Sequence, residues 1–236
     1  MTWDAVHDGR TAFHACMRAV CRPGATQPIV RPALAVDAAI DHAAAVLLAL
    51  LDADVTVAAA GSPALDALVA EIRTRTGART DDVADADFVV APTGHPVAHL
   101  VHRGTPVAPE RGATIVYVAD AGCSTPVRLD GPGLAAPTMV DLPLPTAELG
   151  ALREVNRHGL VGVDAFIALP DGVCALPRST QVEELIAYLG DTPGPVPVDT
   201  RRAQRSDLQR VAYRLSEGKL WRLTWPDLDR GPQSEP

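Results

Sequence analysis

Three histidines stand at i, i+4 and i+7: His95, His99 and His102. On a helix this spacing puts three imidazoles on one face, where they could hold a zinc ion. No glutamate follows His95, so the His-Glu-x-x-His arrangement of zinc proteases is absent, and Pro96 suggests a helix that starts after His95. A row of solvated surface histidines is the favoured reading. Asp164 precedes one apolar run and Arg178 follows another. At strand ends both could face a cleft, where α/β ligand sites form, although spacing alone favours a surface ion pair. The chain contains no G-x-S-x-G elbow, no P-loop and no G-x-G-x-x-G turn. Gly131-Pro132-Gly133 reads as a turn rather than a phosphate cradle, because Pro132 lacks the amide such a cradle needs. Ser62 and Ser124 read as turn residues. Cys16, Cys21, Cys123 and Cys174 have no Cys-x-x-Cys spacing, so they are expected to be buried apolar residues or free thiols. Lys219 is the single lysine among 21 basic residues, so amine chemistry must use it or not occur.

The elements that would position these residues can be read from periodicity. With 236 residues, 47% hydrophobic and 21% charged, the chain suits one globular domain with an appendage and excludes a wholly disordered one. Residues 11–22 carry Phe13, Met17 and Val20 at amphipathic helical spacing, ended by Arg22-Pro23-Gly24. Asp37 to Leu51 reads as a buried helix. A strand over 54–60 precedes a helix that starts at Ser62-Pro63 and stops at Gly77. Phe88–Val90 and Thr114–Val118 are strand candidates, and Val127–Leu129 is expected to pair with the second of them across a turn. Helices are predicted over 146–158 and from Thr180 to Leu189. Between 165 and 176, two apolar runs flank Asp171-Gly172, a strong hairpin signal. The sum is a mixed α/β domain.

A Pro-rich linker is expected over 190–200, separating a domain over 1–189 from an extension over 201–236. Residues 201–222 hold six arginines and Lys219 against Asp207 and Glu217. Leu208, Val211, Ala212 and Leu215 form an apolar stripe there, which predicts a basic amphipathic helix. Docking on the acidic body is its favoured role, ahead of a partner or phosphate contact. The net charge of −8 argues against nucleic acid as a partner. No apolar run reaches the length of a membrane span, and the sequence starts without an apolar signal region, so a cytoplasmic protein is expected.

Three segments resemble one family. Phe13 to Gly24 (FHACMRAVCRPG) is similar to the N-terminal helix and Pro-Gly turn of PhnH, a subunit family of the bacterial carbon–phosphorus lyase system. Gly104 to Thr114 (GTPVAPERGAT) resembles its most recognisable stretch. Gly162 to Glu183 (GVDAFIALPDGVCALPRSTQVE) resembles its C-terminal hairpin, and Val127 to Leu134 (VRLDGPGL) fits between them. The resemblance covers about residues 1–186. It implies a central, mainly parallel sheet flanked by helices, like the large domain of pyridoxal-phosphate-dependent transferases but without that cofactor. Lys219, the one amine for a Schiff base, lies outside the resembling region. The resemblance further implies a cytoplasmic subunit of a multi-protein core complex. That complex attaches alkylphosphonate to ribose triphosphate from ATP with release of adenine, and a radical partner enzyme then cleaves the C–P bond. Members are homodimers in isolation and dock against a structurally similar subunit in the complex. His14 stands where the family commonly has arginine, and the tail from about residue 187 exceeds the usual family length.

Within these segments Arg22, Pro23, Gly24, Pro109, Glu110, Asp164 and Arg178 are the candidate site residues. One reading is a cleft for phosphate or phosphonate, with arginine as the bidentate anion partner. The favoured reading makes them turn and partner-interface positions, because Pro- and Gly-rich motifs encode backbone geometry. No cofactor or metal is expected under the family reading. The competing class is a stand-alone transferase, or a zinc enzyme built on the three histidines.

Overall fold

The computed structural model describes residues 3–120, 124–184, 186–187, 212–216 and 219–223. Its centre is a six-stranded sheet in the order β2-β1-β3-β4-β7-β8. The strands are β1 (Thr56–Ala59), β2 (Arg79–Thr80), β3 (Phe88–Pro92), β4 (Thr114–Val118), β7 (Asp164–Leu169) and β8 (Gly172–Leu176). All neighbours run parallel except β7 and β8, the expected hairpin, whose register closes at Leu169 opposite Gly172.

Alternation along these strands separates two cores. Val57, Val90, Val116, Phe166, Ala168 and Val173 face α1 (His7–Cys21), α2 (Ala38–Leu50) and α3 (Pro63–Thr76). Ala58, Val89, Ile115, Tyr117, Ile167 and Leu176 face the other way. There they meet α4 (Thr146–Val155) and a small antiparallel sheet, β6 (Thr138–Leu142), β5 (Thr125–Asp130) and β9 (Gln181–Glu184). Thr114–Val118 is apolar on both faces, which suits a central parallel strand covered on both sides. That explains one correction: β5 pairs with β6 and β9, not with β4.

Other expectations also change. Residues 181–184 form β9 rather than the start of a helix, because pairing with β5 overrides local propensity and sets Arg128 opposite Glu183. Ala212–Ser216 is a strand, β11, paired with β10 (Ile186–Ala187) and β12 (Lys219–Leu223). The helical reading of the extension therefore fails over 212–215. The linker and residues 201–211 lie outside the described residues.

The α1 helix is present, but it is turned. Its buried face is Gly9, Ala12, Ala15, Cys16 and Ala19, while Phe13, Met17 and Val20 are exposed. Small residues let α1 approach α2 and β8 closely, so the apolar stripe visible in the sequence is the outer one.

The turn into α2 is held by a buried carboxylate. Asp41 accepts hydrogen bonds from Arg31 Nε at 2.9 Å and from the amides of Ala33, Leu34 and Ala35 at 3.1, 2.7 and 3.2 Å. Ala33 adopts φ +59°, a left-handed conformation that aims these amides at one carboxylate. Burial pushes the Asp41 carboxyl up, but Arg31 and the three amides outweigh it and hold the group below its ordinary 3.8. Replacing Asp41 with Asn is expected to lower stability by about 2 kcal/mol at neutral pH, measured by urea unfolding. A carboxyl depressed in the folded state stabilises above its unfolded pKa. The gap between wild type and D41N should therefore narrow as pH falls below 3.8.

Candidate functional site

The amino-terminal edge of the parallel sheet, where β4 and β7 begin and β8 ends, gathers most of the candidate residues. Asp164 is the first residue of β7 and lies opposite Thr114 of β4. Arg178 follows β8 and returns across this edge. Its Nη2 and Nε reach Asp164 Oδ2 at 2.6 and 3.0 Å, and its backbone N–H donates to Asp164 Oδ1 at 2.8 Å. Arg178 Nη1 donates to the Pro109 carbonyl at 2.6 Å, and Nη2 to that of Gly112 at 3.5 Å. Every guanidinium nitrogen thus has an internal acceptor, and an anion would have to displace Asp164 or the loop carbonyls to gain a forked contact.

The loop so held runs from Gly104 to Ala113. Thr105 and Ala108 exchange backbone hydrogen bonds, Pro109–Arg111 form a 3-10 turn, and the Ala113 N–H donates to His102 O at 3.0 Å. Glu110 sits exposed on that turn. Gly112 passes so close to Gly162 O and Arg178 that a Cβ there would overlap the carbonyl. Asn156, after α4, completes the edge by bonding both the N–H and C=O of Val163. The sequence offered no chemical signal for Asn156, which falls inside the helix predicted over 146–158, whereas α4 ends at Val155.

Arg22, Pro23 and Gly24 lie on the same side. The Gly24 N–H donates to Ala175 O in β8 at 3.0 Å, while Arg22 is exposed and Pro23 buried. Loop Asp130–Gly133 bridges the two groups: a Cβ on Gly133 would stand 2.5 Å from Cys21 O, and one on Gly131 2.8 Å from Ser179 O. Segments far apart in sequence therefore meet on one continuous surface.

The histidines do not assemble. Residues 93–102 form turns instead of a helix, because the amides of Val97 and Ala98 donate to Glu148 Oε1 at 3.0 and 2.9 Å. His95 instead lies against Gly61. Among the described residues no three His, Cys, Asp or Glu side chains gather into a possible metal site. Glu148 and its third donor, the Tyr117 hydroxyl, are buried. Burial, and then the neighbouring carboxylate, push the Tyr117 hydroxyl far up. Sequence reading missed this pair, since a glutamate in a first helical turn looks solvated. Burial also raises Cys16 and Cys174 to about 12, which makes both poor nucleophiles. Cys123 lies outside the described residues.

An open groove of about 470 Å³ runs beside the outer strand β2, lined by Arg73, Thr74, Gly77, Arg79 and Thr80. It lies at the carboxyl end of α3, where the helix dipole disfavours anions, and Arg79 donates to Asp54 O.

Residues 2–183 match the model of the bacterial phosphonate metabolism protein PhnH. The chain belongs to the PhnH family. A relative from Stutzerimonas stutzeri, named "Putative C-P lyase subunit protein HtxG", is 30% identical over 182 residues, 76% of this chain and 88% of that protein. Residues 193–236 match a different family, protein J of the type II secretion system, over a stretch too short to assign the chain to it. The PhnH match ends within β9, so it contains the Arg178 clamp, the Gly104–Ala113 loop and the Arg22–Gly24 turn. Among the described residues no helix is long and apolar enough to cross a membrane.

The crowding at Gly112 gives a direct test of this edge. Gly112→Ala is expected to lower stability by about 2 kcal/mol or more, since the Gly162 carbonyl is backbone and cannot step aside. Gly159→Ala is the control: it meets nothing within 4 Å, although its φ of +63° adds a smaller local strain. Thermal melts of the two variants give the comparison.

Proposed function

We propose that this chain is a subunit of a carbon–phosphorus lyase assembly in phosphonate breakdown, and that its Pro- and Gly-rich loop surface serves assembly rather than chemistry. Family membership and the name of the Stutzerimonas relative support the first part. The observation that carries the second is the inward commitment of Arg178, whose donors hold Asp164 and two loop carbonyls. Pro109 and Asp164 then fix loop shape, Glu110 is displayed on the loop, and Arg22-Pro23-Gly24 extends the same surface. The subunit works in the cytoplasm on a scaffold like that of the pyridoxal-phosphate transferases. It pairs with itself when isolated, and supports ATP-dependent attachment of alkylphosphonate to ribose triphosphate with release of adenine.

The test is Arg178→Ala, co-expressed with the other lyase subunits and recovered through a tag on this chain. Loss of a partly buried forked ion pair should lower stability by roughly 2 kcal/mol, which a folded domain tolerates. The expected result is a folded variant with complex recovery reduced at least about tenfold, the equivalent of 1.4 kcal/mol. Normal assembly with loss of phosphonate activation would instead make Arg178 part of a substrate site.

A further inference from the structure

We infer that the outer face of α1 docks a different subunit, one presenting an apolar groove rimmed by carboxylates. This rests on the reading of the chain as a subunit, and names a second surface of it. The helix is built inside out. Its inner face is Gly9, Ala12, Ala15, Cys16 and Ala19, all small, while Phe13, Met17 and Val20 stand 42%, 47% and 38% exposed. Val6, just before the helix, is 74% exposed. Spacings of seven, four and three residues align these four side chains along one stripe. Isolated surface apolar residues need no explanation, but an aligned row of large ones does.

The stripe is held firmly. Asp4 Oδ1 accepts from the amides of Val6 and His7 at 2.9 and 2.7 Å, and Asp8 Oδ2 accepts the Asp4 N–H at 2.9 Å. This reciprocal arrangement fixes the start of the helix, as a capping box does. The Phe13 ring meets the His14 ring edge-on, with centroids 6.3 Å apart. A pre-ordered apolar stripe loses little entropy when covered.

Charge selects the occupant. Arg10, His14 and Arg18 are exposed at i, i+4 and i+8 along one flank of the stripe, with Arg22 just beyond the helix. Asp8 is the only acid of α1, and the helical wheel puts it away from that flank. In an antiparallel two-fold pairing of two copies, like flanks meet, so arginine would face arginine. A partner with Asp or Glu along the groove rim has the complementary charge, and such rims speed and orient docking.

Two variants test this in the full chain: Met17→Asp on the stripe, and Arg10→Glu combined with Arg18→Glu on the flank. Each is co-expressed with the other carbon–phosphorus lyase subunits and recovered through a tag on this chain. All positions are exposed, so thermal melts should stay close to wild type. The expected result is at least about a tenfold loss of recovered complex for both variants, with wild-type recovery falling as salt is raised. A complex that forms normally with both folded variants overturns this inference and leaves the subunit reading intact. Self-association of the isolated chain that Met17→Asp abolishes, read by sedimentation, overturns it in favour of a second copy. If the wild-type chain recovers no complex, the subunit reading fails and this inference fails with it.

Discussion

The fork between Arg178 and Asp164 ties together parts of the chain that lie far apart in sequence. Asp164 opens β7, Arg178 follows β8, and the guanidinium reaches on to the carbonyls of Pro109 and Gly112. One side chain thereby links the end of the central hairpin to the Gly104–Ala113 loop. Around it the chain uses glycine where no Cβ fits, at Gly112 and Gly162, and asparagine where a backbone pair needs a partner, at Asn156. A planar fork is what this geometry demands, since a lysine point charge cannot hold two carboxylate contacts and two carbonyls together.

Two fully buried acids, Asp41 and Glu148, also hold loops. Asp41 gathers three amides and Arg31, and Glu148 gathers two amides and the Tyr117 hydroxyl. Each locks an irregular loop onto a helix. These loops are therefore held by carboxylates and by Arg31 and Arg178, which suits a protein whose core is made of small aliphatic residues with few aromatics to wedge loops in place. Fixed loops are what a subunit needs if its surface must match partners without rearrangement.

Much of the scaffold was readable from sequence because local signals agreed with tertiary ones. Ser62-Pro63 and Gly77 bracket α3, and Asp171-Gly172 sits at the β7–β8 turn. The failures share a cause. The partner of β5, the strand at 181–184 and the strand at 212–216 are set by long-range pairing, which periodicity does not contain. The ion pair expected of Asp164 and Arg178 forms, partly buried rather than on the surface, but its grip on Pro109 depends on the fold. The stripe of Phe13, Met17 and Val20 was visible as a pattern. Which way it faced was not, because a face of three alanines, one glycine and one cysteine is too small-sided to stand out as the apolar one. Asn156, Glu148 and Tyr117 carried no motif at all.

Arg178 holds the Gly104–Ala113 loop in shape, and amide hydrogen exchange on Arg178→Ala reads this directly. The amides to follow are those of Ala108, Gly112 and Ala113, which bond within the loop or to His102. Val90 and Val116, in the middle of the parallel sheet, report on the body of the fold. Faster exchange at the three loop amides, by about tenfold or more, with the sheet amides unchanged, is the predicted result. Unchanged exchange in the loop of the folded variant would mean that the loop keeps its shape without Arg178, leaving the side chain free for another role.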